Sequence, residues 1–388
     1  MTRFRWVVLG VFVLSGVLNY LDRQLLPALA PGLRGRLSLS NADYGLILAA
    51  FSIAYAVSAP LAGLFIDRVG LNRGISIVVA LWSLAGMATG FAGGLAGLAA
   101  CRAVLGLAQA GGIPAAGKAI ARYLKPEERA LGNAVSQIGL GVGAMLAPPV
   151  GIWLAGAHGW SAPFLVTGAL GLLWIPLWSR VARAEPAKED ARGEKAQGLD
   201  RRLWLIILAN MLSMTVYTLW SNWTSVYLVQ SQRMTLAATA PYAAVPPLFF
   251  NLGGLAGGWL SMRWMRRGAA ALPARLRACL VSAVAMLATA AVPLMPGAWP
   301  ATGAICFSAF WAAAMSVNLY TMPLDLWGAG RAAFAVSTLT AAYGAMQAAF
   351  SPAAGALIDR VGFPPVCAAV SVLPLVAYLA LRPVGRRV

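Results

Sequence analysis

The sequence predicts an all-α membrane protein, twelve transmembrane helices in two six-helix bundles, and three observations predict it. The first is composition. Of 388 residues 60% are hydrophobic and 11% charged, with a mean hydropathy of +0.73. Soluble domains carry about 25% charged residues, and a soluble core could not hide this much apolar surface, so the bilayer must be the solvent. The second is the occurrence of twelve apolar runs of the length, roughly 20 residues, that a spanning helix needs. The third is their grouping, six and six around one polar stretch.

In order, the first span covers residues 5–31; no clear cleavage site follows it, so it reads as a span and not as a removable signal. Ser40-Asn41-Ala42-Asp43 reads as a capping box that opens span 2, residues 41–66. Span 3 is 74–92 and span 4 is 95–124. Glu127 and Glu128 suit the positive end of the helix dipole of span 5, which runs to 156, and span 6 is 161–182. Residues 183–201 have mixed charge and no apolar period, and read as a cytoplasmic linker. Spans 7 to 12 follow at 202–230, 237–262, 276–294, 299–325, 332–357 and 364–383. The expected domains are therefore 1–182 and 202–388, with three-helix units repeated within each.

The net charge of +18 would suggest nucleic acid in a soluble protein. Here the bases sit at helix ends. With the N-terminus placed in the cytoplasm, 23 Lys and Arg fall on inner segments and four on outer loops (Arg34, Arg36, Arg233, Arg360), while Arg23, Arg102 and Lys118 lie within helices. That asymmetry sets both termini inside and accounts for the basic balance without a nucleic-acid partner. The compact loops suit a bacterial inner membrane, and a monomer among lipids is the default. Four cysteines (Cys101, Cys279, Cys306, Cys367) lie in apolar runs without metal spacing. One histidine and no phosphate-binding loop leave nothing that looks enzymatic, and no metal or cofactor is expected.

Repeats support the organisation. Gly63-Leu64-Phe65-Ile66-Asp67-Arg68-Val69-Gly70 closes span 2 and Gly355-Ala356-Leu357-Ile358-Asp359-Arg360-Val361-Gly362 closes span 11. Weaker echoes at Gly151-Ile152-Trp153-Leu154 and Gly258-Trp259-Leu260-Ser261 close spans 5 and 8. Echoes at every third helix suggest inverted three-helix repeats, an architecture that puts a binding site near the bilayer midplane, between the halves. Gly63-x-x-x-Asp67-Arg68-x-Gly70-x-x-Arg73 resembles the helix 2–3 loop motif of the major facilitator superfamily. Within it, Asn19-Tyr20-Leu21-Asp22-Arg23, Arg102-x-x-x-Gly106, Pro114-Ala115-Ala116-Gly117-Lys118 and Asn318-Leu319-Tyr320-Thr321-Met322-Pro323-Leu324-Asp325-Leu326 resemble the anion:cation symporter family, its hexuronate and sugar-acid branch above all. That resemblance implies transport of small organic anions with protons.

An acid and a base at membrane depth are costly and mark function. Asn19 and Arg23, four apart, share a face of span 1; Asp22 is turned about 100° away. Arg23 is thus expected in a central cavity, where its fork matches a carboxylate, and Asp22 against a neighbouring helix, plausibly span 4. Burial opposes the charge of Asp22 and nearby arginines favour it, so it is the leading proton-coupling site; a static ion pair is the bland alternative. Tyr20 and Asn19, on the same stretch, are expected to bind the substrate beside Arg23. Arg102 is expected either to bind the anion or to pair with Asp22. Gln109 stands where many members of the resembling family have a glutamate, the expected second proton carrier, and glutamine cannot titrate. Coupling through Asp22 alone, sodium coupling and uncoupled movement therefore stay open. Gln137, Asn222, Trp223, Asn318, Tyr343 and Gln347 are candidates to read substrate hydroxyls, with helix packing as the alternative for each. Gly63, Asp67, Arg68 and Arg73 are read as a conformational latch at the cytoplasmic edge. The expected function is a secondary transporter of a sugar acid or similar monocarboxylate working by alternating access. An uncoupled facilitator or exchanger, or a non-transporting receptor for such anions, are the alternatives.

Overall fold

A computed structural model describes residues 2–125, 128–182 and 201–386. Glu127 and the linker up to residue 200 lie outside the described residues, as does the side chain of Arg331. Those described form helices α1 (Thr2–Leu37), α2 (Asn41–Val69), α3 (Leu71–Thr89), α4 (Leu95–Gln109), α5 (Gly112–Tyr123), α6 (Arg129–His158) and α7 (Ala162–Val181), then α8 (Arg201–Gln230), α9 (Leu236–Ala244), α10 (Pro246–Arg266), α11 (Ala271–Met286), α12 (Ala298–Val361) and α13 (Phe363–Leu381). Ten segments are long and apolar enough to cross a membrane; the eighth predicted span is divided between α9 and α10, and the eleventh is the second half of α12.

Local chemistry explains the departures from twelve plain rods. Span 4 breaks at Gly111-Gly112, where a glycine pair lets the axis bend, and α5 carries Pro114 in its first turn, where no amide donor is missed. Span 8 breaks before Pro246, which starts α10. Span 9 tightens into a 3-10 segment over Leu287–Leu294 that includes Pro293. Spans 10 and 11 run as one trace, interrupted only at Gly328. The predicted capping box is present: the Ser40 hydroxyl accepts from the Asp43 amide at 3.0 Å and the Asp43 carboxylate accepts from the Ser40 amide at 3.0 Å.

Two compact units emerge, Met1–Asp190 with Thr235–Ala244 and Ala191–Met234 with Val245–Val388. Helix α9 thus packs with the first unit, against α1 and α6. Inside the first unit, span 1 packs on span 5, span 2 on span 4 and span 3 on span 6; inside the second, 7 packs on 11, 8 on 10 and 9 on 12. Exchanging the two triplets of a unit maps 1·5 onto 4·2 and 3·6 onto itself, as a three-helix repeat requires. The chain ends of spans 2, 5, 8 and 11 repeat too. Each is followed by a glycine at positive φ (Gly70 86°, Gly159 86°, Gly268 89°, Gly362 77°), a conformation that spares only glycine a steric cost. The echoes at every third span therefore mark a shared way of ending a helix.

The first unit's core is aromatic at the end where α7 finishes. Trp174 and Trp178 stack at 5.4 Å, Phe12 and Tyr123 meet Trp178 edge-on, and Trp174 Nε1 donates to the Val11 carbonyl at 2.6 Å. In the second unit Arg275 ties three helices: Nε donates to Asp325 at 3.0 Å and Nη1 to the Ser261 hydroxyl at 2.8 Å and to Asn318 Oδ1 at 3.4 Å.

Candidate functional site

The first unit gathers its polar residues around Arg23. Gly106 makes this possible: a Cβ there would collide with the Phe51 carbonyl, so only glycine lets α4 lie directly on α2. The close approach brings Gln109, two turns on from Arg102, against α1. Gln109 is 1% exposed, and its amide works at both ends. Its Oε1 accepts from Arg23 Nε at 3.1 Å and its Nε2 donates to the Asn19 carbonyl at 3.0 Å. Arg102, 3% exposed, donates from Nη2 to the Arg23 carbonyl at 3.1 Å. One arginine thus braces the backbone from which the other projects.

Three rings surround the Arg23 guanidinium. Its Cζ lies 4.9 Å from the Tyr20 ring, 4.8 Å from Phe51 and 4.9 Å from Tyr55, and Arg102 approaches Phe51 at 5.9 Å. Electron-rich ring faces stabilise a cation where water is scarce. Such a setting holds the guanidinium in one direction. Phe51 and Tyr55 were not legible as site residues in the sequence. The only signal was two aromatics four apart in span 2, a spacing that lipid-facing helix surfaces share.

Asp22 turns away from Arg23, as the helical angle predicts, but not primarily toward span 4. It is 4% exposed, with Gly86 of α3 beside it and the Thr167 hydroxyl of α7 and the Arg102 guanidinium nearby. The Thr167 hydroxyl and the Arg102 guanidinium are the polar groups that the carboxylate feels, and both oxygens are shut off from the surface. The expectation of span 4 as its neighbour is corrected in part: Arg102 of span 4 is near, but span 1 also packs on span 6, and Gly86 of span 3, having no side chain, leaves room for the carboxylate. Thr167, too, was missed, since a lone threonine in a span is ordinarily bonded to its own helix, as this one is to Pro163 at 3.0 Å.

The other candidates are dispersed. Gln137 is exposed on α6. Asn222 is 6% exposed and Trp223 fully buried on α8. Asn318 is fully buried, and its amide donates to the Gly257 and Ala314 carbonyls at 3.0 and 2.8 Å, which makes it a tie between helices. Tyr343 and Gln347 are half-buried on α12, and Tyr343 stands 6.4 Å from Tyr217, itself 4.2 Å from Phe250. In the motif after α2, Asp67 forms an ion pair with Lys118 of α5, within its own unit. Arg68 and Arg73 are exposed, and Gly63 has open space where a Cβ would project.

Comparison with known proteins agrees with this architecture. Residues 12–338 match the profile of the Major Facilitator Superfamily. The hexuronate transporter of Escherichia coli (strain K12) is 28% identical over 403 aligned positions, covering 97% of this chain and 93% of that one. The galacturonate transporter of Dickeya chrysanthemi is 30% identical over 285, covering 68% and 83%. Among solved structures, a bacterial homologue of the human lysosomal transporter Spinster, crystallised inward-facing and unoccupied, superposes with a TM-score of 0.80 at 21% identity, covering 98% of this chain and 95% of that one. The chain is an integral, multi-pass membrane transporter and belongs to the Major Facilitator Superfamily.

Proposed function

We propose that the protein moves a sugar acid, such as a hexuronate or aldonate, or a similar small monocarboxylate, by alternating access, with protons as the driver and the cytoplasmic membrane as its site. The observation that carries this reading is Arg23: a half-buried guanidinium in a spanning helix, ringed by Tyr20, Phe51 and Tyr55 and steadied through Nε by Gln109. A guanidinium so held offers a carboxylate two charge-assisted hydrogen bonds from a planar fork. The similarity to transporters named for hexuronate and galacturonate supports the same substrate class. Arg102 acts through Arg23 by bracing its backbone. Tyr343 and Gln347 are the second unit's candidates for substrate hydroxyls.

Asp22 is assigned the coupling proton. It is the one carboxylate deep in a predicted span, and the packing of α1 leaves it only 4% exposed. Proteoliposomes test the assignment. With an inward proton gradient the parent accumulates labelled galacturonate; Asp22→Asn retains exchange of labelled for unlabelled substrate but loses accumulation. Arg23→Ala weakens both at substrate concentrations near the parent's KM, and an Arg23→Ala variant that transports as well as the parent overturns the reading.

Gln109 favours a second reading, an uncoupled facilitator of the same anions. The amide sits where a titratable side chain in contact with Arg23 would make anion binding respond to pH. On this reading, acidifying the outside leaves uptake unchanged once the membrane potential is clamped.

A further inference from the structure

We propose that the turn joining α10 to α11 is a binding site for an anionic phospholipid of the leaflet it meets, which the positive-inside bias makes the cytoplasmic one. Four arginines crowd this turn. Arg263, Arg266 and Arg267 close α10, Arg277 stands on the second turn of α11, and all four are exposed. Gly268, at φ 89°, reverses the chain so sharply that α11 starts three residues later and packs on α10. No acid among the described residues answers these charges. From Arg201 to Leu324 the sequence contains no Asp or Glu. Asp325, the next carboxylate, is taken by Arg275 at 3.0 Å, and none of the four arginines has an ion pair among the described residues.

The faces leading up to the arginines are apolar and bare. On α10, Leu252, Leu255, Trp259 and Arg263 recur every three or four residues and so share one face. They are uncovered by the rest of the chain, with Leu255 73% and Trp259 52% exposed, and the Arg263 guanidinium lies 5.4 Å over the Trp259 ring. On α11, Arg277 is followed by the exposed Val281 and Val284. Leu252 to Arg263 spans about 16 Å at 1.5 Å per residue, close to one leaflet's share of a hydrocarbon core ~30 Å thick. Apolar surface, then an interfacial ring, then cations on α10, beside apolar surface leading to a cation on the neighbouring α11, matches a lipid with acyl chains and an anionic headgroup. A single snorkelling arginine is content with water. Four on one turn repel one another and gain from a phosphate that neutralises them, as basic clusters at this depth do.

The test uses the full chain purified in detergent and titrated with phosphatidylglycerol or phosphatidylcholine, with retained lipid counted by native mass spectrometry. The parent is expected to hold phosphatidylglycerol about tenfold more tightly than phosphatidylcholine. The variant R263Q/R266Q/R277Q is expected to lose that preference, while Arg36→Gln, which removes an exposed arginine at the C-terminal end of α1, keeps it. Equal retention of the two lipids by the parent overturns the proposal, as does an unchanged preference in the triple variant. Should the triple variant not fold, the single variants R266Q and R277Q, both at exposed positions, are each expected to weaken the preference, and an unchanged preference in both overturns the proposal.

Discussion

Arg23 and Gln109 hold the sharpest residue-scale predictions. Hydrogen bonds to charged groups contribute about 1.5–3 kcal/mol, so Arg23→Ala should raise the KM for galacturonate about 10- to 100-fold in proteoliposome uptake. Arg23→Lys should recover only part of this, because an ammonium lacks the fork. Gln109→Glu tests the meaning of the amide. An ionised glutamate 3.1 Å from Arg23 Nε, where Oε1 of Gln109 now accepts, would compete with the substrate for the guanidinium. A proton on that glutamate would release it. Uptake by the variant should therefore rise as pH falls and weaken as pH rises, more steeply than uptake by the parent, measured as KM against pH at clamped potential. An identical pH profile would show that position 109 does not face the anion site. Asn19 illustrates what one residue can conceal: beside any role of its side chain, its backbone carbonyl accepts from Gln109 and so links α1 to α4.

At the scale of elements, helix spacing is set by glycines that touch backbone. A Cβ at Gly253 would strike the Phe310 carbonyl, and one at Gly257 would lie 2.5 Å from Ala314, whereas Gly254 between them has open space. Gly253→Ala should therefore lower the thermal unfolding midpoint, with an overpacking cost of roughly 1–3 kcal/mol, and Gly254→Ala should leave it unchanged. Gly106→Ala should do more than destabilise. By pushing α4 from α2 it should also weaken substrate binding, since Gln109 and Phe51 reach Arg23 from those two helices. The sequence showed where the helices lie but not where they break. Span 4 divides at a glycine pair and span 8 at Val245 before two prolines, signals that were present yet indistinguishable from tolerated kinks within a long apolar run. The four motif echoes carried more than their letters, because each precedes a positive-φ glycine that reverses the chain.

For the whole molecule, charge asymmetry makes the topology testable. In a cysteine-free background, Arg36→Cys should react with an impermeant maleimide from outside intact cells, and Ala269→Cys only after the membrane is permeabilised. The opposite pattern would invert every assignment of side. Composition, the twelve apolar runs and the positive-inside bias determined by themselves that the chain crosses a membrane many times, because burial in lipid is a property of each segment alone. The 3.6-residue period determined, too, that Asp22 and Arg23 face different ways. Only the tertiary structure decided their company. The aromatic ring set around Arg23, the brace from Gln109 and the buried setting of Asp22 beside Gly86 of α3 and Thr167 of α7 depend on which helices pack together and how closely. That closeness is governed by backbone contacts at glycines such as Gly106, whose partners lie tens of residues away in the chain and leave no local trace in the sequence.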